Sequence, residues 1–180
     1  MIRLEIQTPE EMAELGRRIA RQLQAGDILA LNGELGAGKT TLARGLGEEL
    51  GVRGAVTSPT FVLARTHPRT DGGAPLVHVD AYRLGSAAEL DDLDIDFDGS
   101  IVVVEWAARM LDGISDSLLE VSIARPTGTG GATPGSLSSG SAASADADGA
   151  PVDTEELGGP EPRQVTIRPL GPRWERHPFT

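Results

Sequence analysis

Apolar and polar positions along this chain follow two periods, and the places where one gives way to the other mark out its elements. Leu4 and Ile6 alternate with polar neighbours within Arg3 to Gln7, which predicts a short strand. Thr8-Pro9-Glu10-Glu11 has the form of a capping box with proline at the first helical position. Met12, Leu15, Ile19 and Leu23 follow at helical spacing, so a helix is expected to run until near Gly26. "DILAL", Asp27 to Leu31, is an unbroken apolar run of the kind a buried parallel strand needs. After a glycine-rich stretch, Leu42, Leu46 and Leu50 share one face of a second helix, which Gly51 ends. "TFVLART" (Thr60 to Thr66) and "PLVHVDAY" (Pro75 to Tyr82) are strand-like, with the turn-rich "HPRTDGGA" between them. Ser86-Ala87-Ala88-Glu89 is a second capping box, opening a short helix through Leu90 and Leu93. "SIVVVEWA" (Ser100 to Ala107), β-branched and apolar, is the clearest strand. "SLLEVSIA" (Ser117 to Ala124) and "RQVTIRPL" (Arg163 to Leu170) alternate with period two and suit antiparallel neighbours. The expected fold class is α/β: a mostly parallel sheet flanked by helices, with an antiparallel C-terminal hairpin.

Pro126 to Pro162 obeys neither period. It is rich in Gly, Ser, Ala, Pro and acids, and has too few large apolar residues to offset the entropy of ordering it. It reads as a disordered insertion in a surface hairpin, which the slow growth of loop-closure entropy with length tolerates; the alternative is a docking segment for a partner. One domain, 1–125 and 163–180, is therefore expected around a low-complexity insertion at 126–162.

Composition narrows this further. A chain of 180 residues can bury a real core. It has no cysteine, so neither a disulfide framework nor a thiolate metal site is available. No apolar run approaches the roughly 18 residues of a spanning helix, and the N-terminus turns acidic without a signal-like apolar stretch. A soluble, cytoplasmic protein with no membrane association is expected. A net charge of −11 argues against a large phosphate-contacting surface, so contact with RNA would run through a partner.

The glycine-rich stretch carries the chemistry. Gly33-Glu34-Leu35-Gly36-Ala37-Gly38-Lys39-Thr40 is G-x-x-x-x-G-K-T, set between an apolar strand and an amphipathic helix. Glycines let backbone N–H groups turn inward around a polyphosphate, and the helix adds its positive end. Lys39 offers a compact charge to the β- and γ-phosphates, and Thr40 a hydroxyl to Mg²⁺. Lys39 is also the only lysine in a chain that uses arginine for every other basic side chain, as expected where a compact ammonium differs from a planar fork. The competing reading is a strand-to-helix turn that binds nothing.

A phosphate cradle needs a metal carboxylate and a group that places the nucleophile. Asp80, closing "LVHVD", and Glu105, closing "IVVVE", stand at strand carboxyl ends, which face the ligand crevice in open α/β sheets. Otherwise Asp80 is a turn or cap residue and Glu105 an arginine's partner. His78 shares a strand face with Asp80 and reads as a core or edge histidine. Asp91, Asp92, Asp94, Asp96 and Asp98 lack EF-hand spacing and alternate with apolar residues, so they read as a solvated helix end.

Taken together, "NGELGAGKTTLARGL", "TSPTF", "HVDAYRL" and "VVVEWAARM" closely resemble TsaE, the small bacterial P-loop ATPase family of tRNA threonylcarbamoyladenosine biosynthesis, over Thr8 to about Ala124 and more weakly at Arg163 to Leu170. The resemblance implies a P-loop NTPase-type fold in which Gly36, Ala37, Gly38, Lys39, Thr40 and Thr41 wrap the phosphates of ATP and Thr40 ligates Mg²⁺. Asp80 would be the Walker B-like acid. Glu105 would lie at the metal and water, as ligand or as the group positioning the nucleophile. Ser58 and Thr60 would form a switch-like segment sensing the γ-phosphate. Trp106 matches a tryptophan beside the nucleotide, a buried core tryptophan being the alternative, and Glu11 lies where the family's N-terminal segment approaches the base. The resemblance also implies docking on TsaB- and TsaD-like proteins, which transfer the threonylcarbamoyl group to adenosine 37 of tRNA; the ATP cycle would reset that pair, touching tRNA only indirectly. The insertion at Pro126 to Pro162 departs from the pattern.

The preferred reading is a weak, partner-stimulated Mg²⁺-ATPase. Arg44, Arg65, Arg83 and Arg109 lie near motifs, and Arg83 is the one to test as an arginine finger, with an ion pair as its alternative. A small-molecule kinase on the same loop would need an arginine-rich lid, and the long insert has no arginine. A nucleotide-gated binding module with little hydrolysis would use every motif named.

Overall fold

The run expected to be a buried strand is one. In this computed structural model, β2 (Ile28–Gly33) is the middle strand of seven, parallel to β5 (Ile101–Glu105) on one side and β6 (Leu118–Ala124) on the other. The structure describes residues 1–59, 62–107, 111, 114–125 and 161–180, so the body of the insertion at 126–160 lies outside the described residues. Beyond β5 come β4 (Leu76–Asp80), parallel, and β3 (Ala64–His67), antiparallel. Beyond β6, β7 (Arg163–Leu170) pairs antiparallel, as the alternating pattern required, and β1 (Ile2–Ile6) pairs antiparallel with β7. The sheet is thus parallel in its centre and antiparallel at both margins.

Two cores explain why β2 and β5 are apolar without alternation. On one face Leu29, Leu31, Leu76 and Val103 pack with α1 (Pro9–Ala20) and α2 (Lys39–Leu50) through Met12, Leu15, Ile19, Leu42 and Leu46. On the other, Ile28, Ala30, Val77, Val79, Val102 and Val104 pack with Leu84 and with Leu90 of α3 (Ala87–Asp91). The two long helices touch backbone to backbone. A Cβ added at Gly16 would come within 2.2 Å of the Leu42 carbonyl oxygen, and one at Gly45 within 2.0 Å of that of Ala13.

Four local features depart from the pattern-based expectation. First, α1 stops at Ala20, short of Gly26, because the guanidinium of Arg173 takes the Gln22 carbonyl at 3.0 Å and Asp27 accepts from the Gln24 amide at 2.9 Å. Second, β3 begins at Ala64 rather than Thr60. The amides of Val62 and Leu63 both bond the Pro59 carbonyl, and Leu63 has φ 66°, so a turn precedes the strand; Thr60 and Phe61 lie outside the described residues. Third, only Asp91 of the acidic run is helical. Beyond it Leu93, Ile95 and Phe97 pack on the second core while the intervening aspartates stay exposed. Fourth, the chain ends in a short helix, α4 (Pro172–Arg176), that no pattern announced; Trp174 and Phe179 are buried edge to face with centroids 6.0 Å apart.

Candidate nucleotide site

β2 delivers the chain to Gly33 and α2 starts at Lys39, so the loop spans the carboxyl end of the central strand. Gly36 and Gly38 have φ 70° and 109°, the left-handed region that side-chain-bearing residues seldom enter. Gly38 is the N-cap of α2; no side chain caps that end and no acid stands in its first turn. The helix therefore presents its first-turn N–H groups and positive end to the loop, with no protein carboxylate of that turn competing for them.

Lys39 is only 5% exposed. Its Nζ donates to the carbonyls of Gly33 (3.0 Å) and Glu34 (3.1 Å) and stands 4.1 Å from the ring centroid of Trp106. Trp106 stands there on a strained backbone, with φ 61°, which an aromatic residue rarely adopts, and its amide holds it by donating to the Leu31 carbonyl at 2.9 Å. Tyr82, exposed, meets it in a tilted arrangement, with ring centroids 5.3 Å apart and planes at 59°. Ala37 and Thr40 are buried, Thr41 half-buried.

Asp80 and Glu105 are register partners at the carboxyl ends of β4 and β5, 4% and 3% exposed. Asp80 also performs the bland role open to it, accepting the Tyr82 amide at 3.0 Å and capping the 3-10 turn Ala81–Arg83. Glu105 is bonded by a histidine rather than an arginine: Nε2 of the fully buried His78 lies 2.8 Å from its Oε1. An ionised Glu105 selects the tautomer that donates from Nε2, leaving His78 Nδ1 an acceptor with no hydrogen-bond partner among the described residues.

Of the remaining expected residues, Glu11 is exposed and accepts the Gln7 amide at 2.7 Å at the start of α1; next to it, Met12 lies against Gly38. Ser58 is half-buried; Arg44, Arg65 and Arg83 are exposed; Arg109 lies outside the described residues, as does Thr60. Sequence reasoning missed Arg125, whose Nη2 donates to the Gly36 carbonyl at 2.9 Å. The rule that strand carboxyl ends face the crevice would have found it, had the strand before it been known to lie parallel to the loop's own strand.

Among the described residues, no three His, Asp or Glu side chains group as a metal cage. The Thr40 hydroxyl with Asp80 and Glu105 at the adjacent strand ends fits the habit of Mg²⁺, which takes one or two carboxylates and completes its shell with phosphate oxygens and water.

The TsaE family model, described as threonylcarbamoyl adenosine biosynthesis protein TsaE, matches residues 6–130. The tRNA threonylcarbamoyladenosine biosynthesis protein TsaE of Streptomyces coelicolor is 48% identical over 166 residues, 91% of this chain and 93% of its own. That of Bacillus subtilis is 38% identical over 118 residues, 65% of this chain and 73% of its own. The crystal structure of Bacillus subtilis YdiB superposes with a TM-score of 0.64 at 28% identity, covering 97% of this chain and 89% of that one. Because the matched span holds the glycine loop and both strand-end acids, and one relative aligns over nearly the whole length, this chain belongs to the TsaE family.

Proposed function

We propose that the protein is a Mg²⁺-dependent ATPase that serves threonylcarbamoyladenosine formation in tRNA by docking on TsaB- and TsaD-like proteins and resetting them between turnovers. The observation that carries this is the convergence, at one sheet end, of an uncapped α2 N-terminus, the buried Lys39, and the buried acids Asp80 and Glu105. The family name supports the pathway, and the net charge of −11 supports reaching tRNA through protein partners.

In this reading the backbone of Gly33 and Gly36 to Thr41 cradles the phosphates of ATP, and Lys39 leaves its two loop carbonyls to neutralise β- and γ-oxygens. Thr40, Asp80 and Glu105 hold Mg²⁺, which supplies Lewis-acid stabilisation of the phosphate charge when bound. Glu105, fixed by His78, orients the attacking water or completes the ligand set. Ser58 and Thr60 sense the γ-phosphate, Trp106 walls the site, and Glu11 marks the side from which the base is approached. Catalysis is then positioning and charge stabilisation, with little covalent work for the protein.

The test is ATP hydrolysis by the purified chain with Mg²⁺, alone and with its TsaB- and TsaD-like partners, beside Lys39→Ala and Glu105→Ala. Turnover should rise with partners and fall about a hundredfold or more in both variants. Tight ATP binding lost in Lys39→Ala, with no turnover in any mixture, would instead make the protein a nucleotide-gated binding module.

A further inference from the structure

Arg125 belongs to none of the motifs above, yet it touches the phosphate loop directly. It follows β6, which runs parallel to β2 with Ile123 opposite Gly33, so the chain leaves the sheet beside the loop. Its Nη2 donates to the Gly36 carbonyl at 2.9 Å, and the Ala37 amide of the same peptide donates to the Glu34 carbonyl at 3.1 Å. Both ends of the Gly36–Ala37 peptide are thereby held, which fixes the turn of the loop. The fit is close: a Cβ on Gly36 would come within 2.5 Å of Arg125 Nη2. Arg125 Nε is buried with no hydrogen-bond partner among the described residues. The charge also matters locally, since Glu34 lies within the loop and Asp80 and Glu105 end β4 and β5 at the same end of the sheet.

We infer that Arg125 is a positioning residue of the nucleotide site: it holds the Gly36–Ala37 peptide in the conformation that accepts a nucleoside polyphosphate and adds a second positive charge to that of Lys39. The inference rests on the nucleotide-binding reading of the loop, but not on hydrolysis.

Calorimetric titration of the full-length chain with Mg-ATP and with ADP tests it, comparing the unaltered protein with Arg125→Ala, Arg125→Gln, Arg125→Lys and Lys39→Ala. Arg125→Ala should weaken both nucleotides roughly tenfold to a hundredfold, the value of a charge-assisted hydrogen bond. Arg125→Lys, which keeps a charge and N–H donors on a compact ammonium, should recover most of that, and Arg125→Gln less. Melting temperatures without nucleotide should stay close together, because a brace of the fold alone would lower them and leave affinity untouched. Should Arg125→Ala fail to fold, Arg125→Gln against Arg125→Lys carries the same comparison. Nucleotide affinity lost in Lys39→Ala but unchanged in the Arg125 variants overturns this inference alone. An unaltered chain that binds neither nucleotide overturns the nucleotide reading and this inference with it.

Discussion

Glu105 and His78 show how much a single buried contact asks of its neighbours. The carboxylate is 3% exposed and the imidazole fully buried, so neither can turn to water if the other is removed. His78→Leu leaves Glu105 without its 2.8 Å partner and should lower unfolding stability by about 1–3 kcal/mol, the cost of stranding a buried polar group. His78→Gln, whose amide can still donate, should lose less; equal losses in the two variants by denaturant unfolding would mean that shape, not the hydrogen bond, is what the site needs. Lys39 stands out at this scale without any structure: among 16 basic residues it is the only lysine, and it falls in the glycine-rich motif between a strand and a helix. Its neighbour Trp106 was also legible as a candidate, but the reason it lies over Nζ is a backbone strained to φ 61°, which no side-chain pattern encodes.

Between elements, the contact of α1 with α2 admits no side chain at its two crossing points. Gly16→Ala or Gly45→Ala forces a methyl into a carbonyl of the opposite helix and should destabilise by about 1–3 kcal/mol, despite the better helix propensity of alanine. Thermal unfolding would check this; unchanged or raised stability would show that the helices can part without cost. The ion pairs Arg17–Glu48 and Arg21–Glu49 across the same pair of helices are too exposed to offset such a loss. At the sheet margin, burial first, and then the neighbouring His78 and Arg65 side chains, hold the His67 imidazole below its ordinary value. A group with a depressed folded pKa binds fewer protons folded than unfolded, so its contribution is present above a pH of about 6.5 and is lost as the pH falls below that. His67→Gln should therefore flatten the acid side of the stability profile measured from pH 7.5 down to about 5.

Across the whole molecule, the end of the sheet opposite the glycine-rich loop is closed by the C-terminal segment. Arg173 bonds both oxygens of the buried Asp27, at 3.0 and 3.1 Å, and so ties α4 to the residue that leads into β2. The Gln22 amide holds Thr180 at both its carbonyl (2.7 Å) and its N–H (2.9 Å). Arg173→Ala, which leaves the buried Asp27 carboxylate with the Gln24 amide alone, should cost about 3 kcal/mol, whereas Arg168→Ala, which breaks an exposed pair with Glu120, should cost about 0.5 kcal/mol. Urea unfolding of both separates the two cases, and equal effects would remove the clamp's claim to a structural role. Among the described residues no helix is long and apolar enough to cross a membrane. What could be read without coordinates was whatever depends on near neighbours in the chain: the two periodicities, the glycine loop, the capping residues and the acids ending two strands. Helix and strand patterns arise from local sterics and burial, so they survive in one dimension. Which strands lie side by side does not, and that is why His78 meeting Glu105 across 27 residues, and Arg125 meeting Gly36 across 89, became visible only in the folded chain.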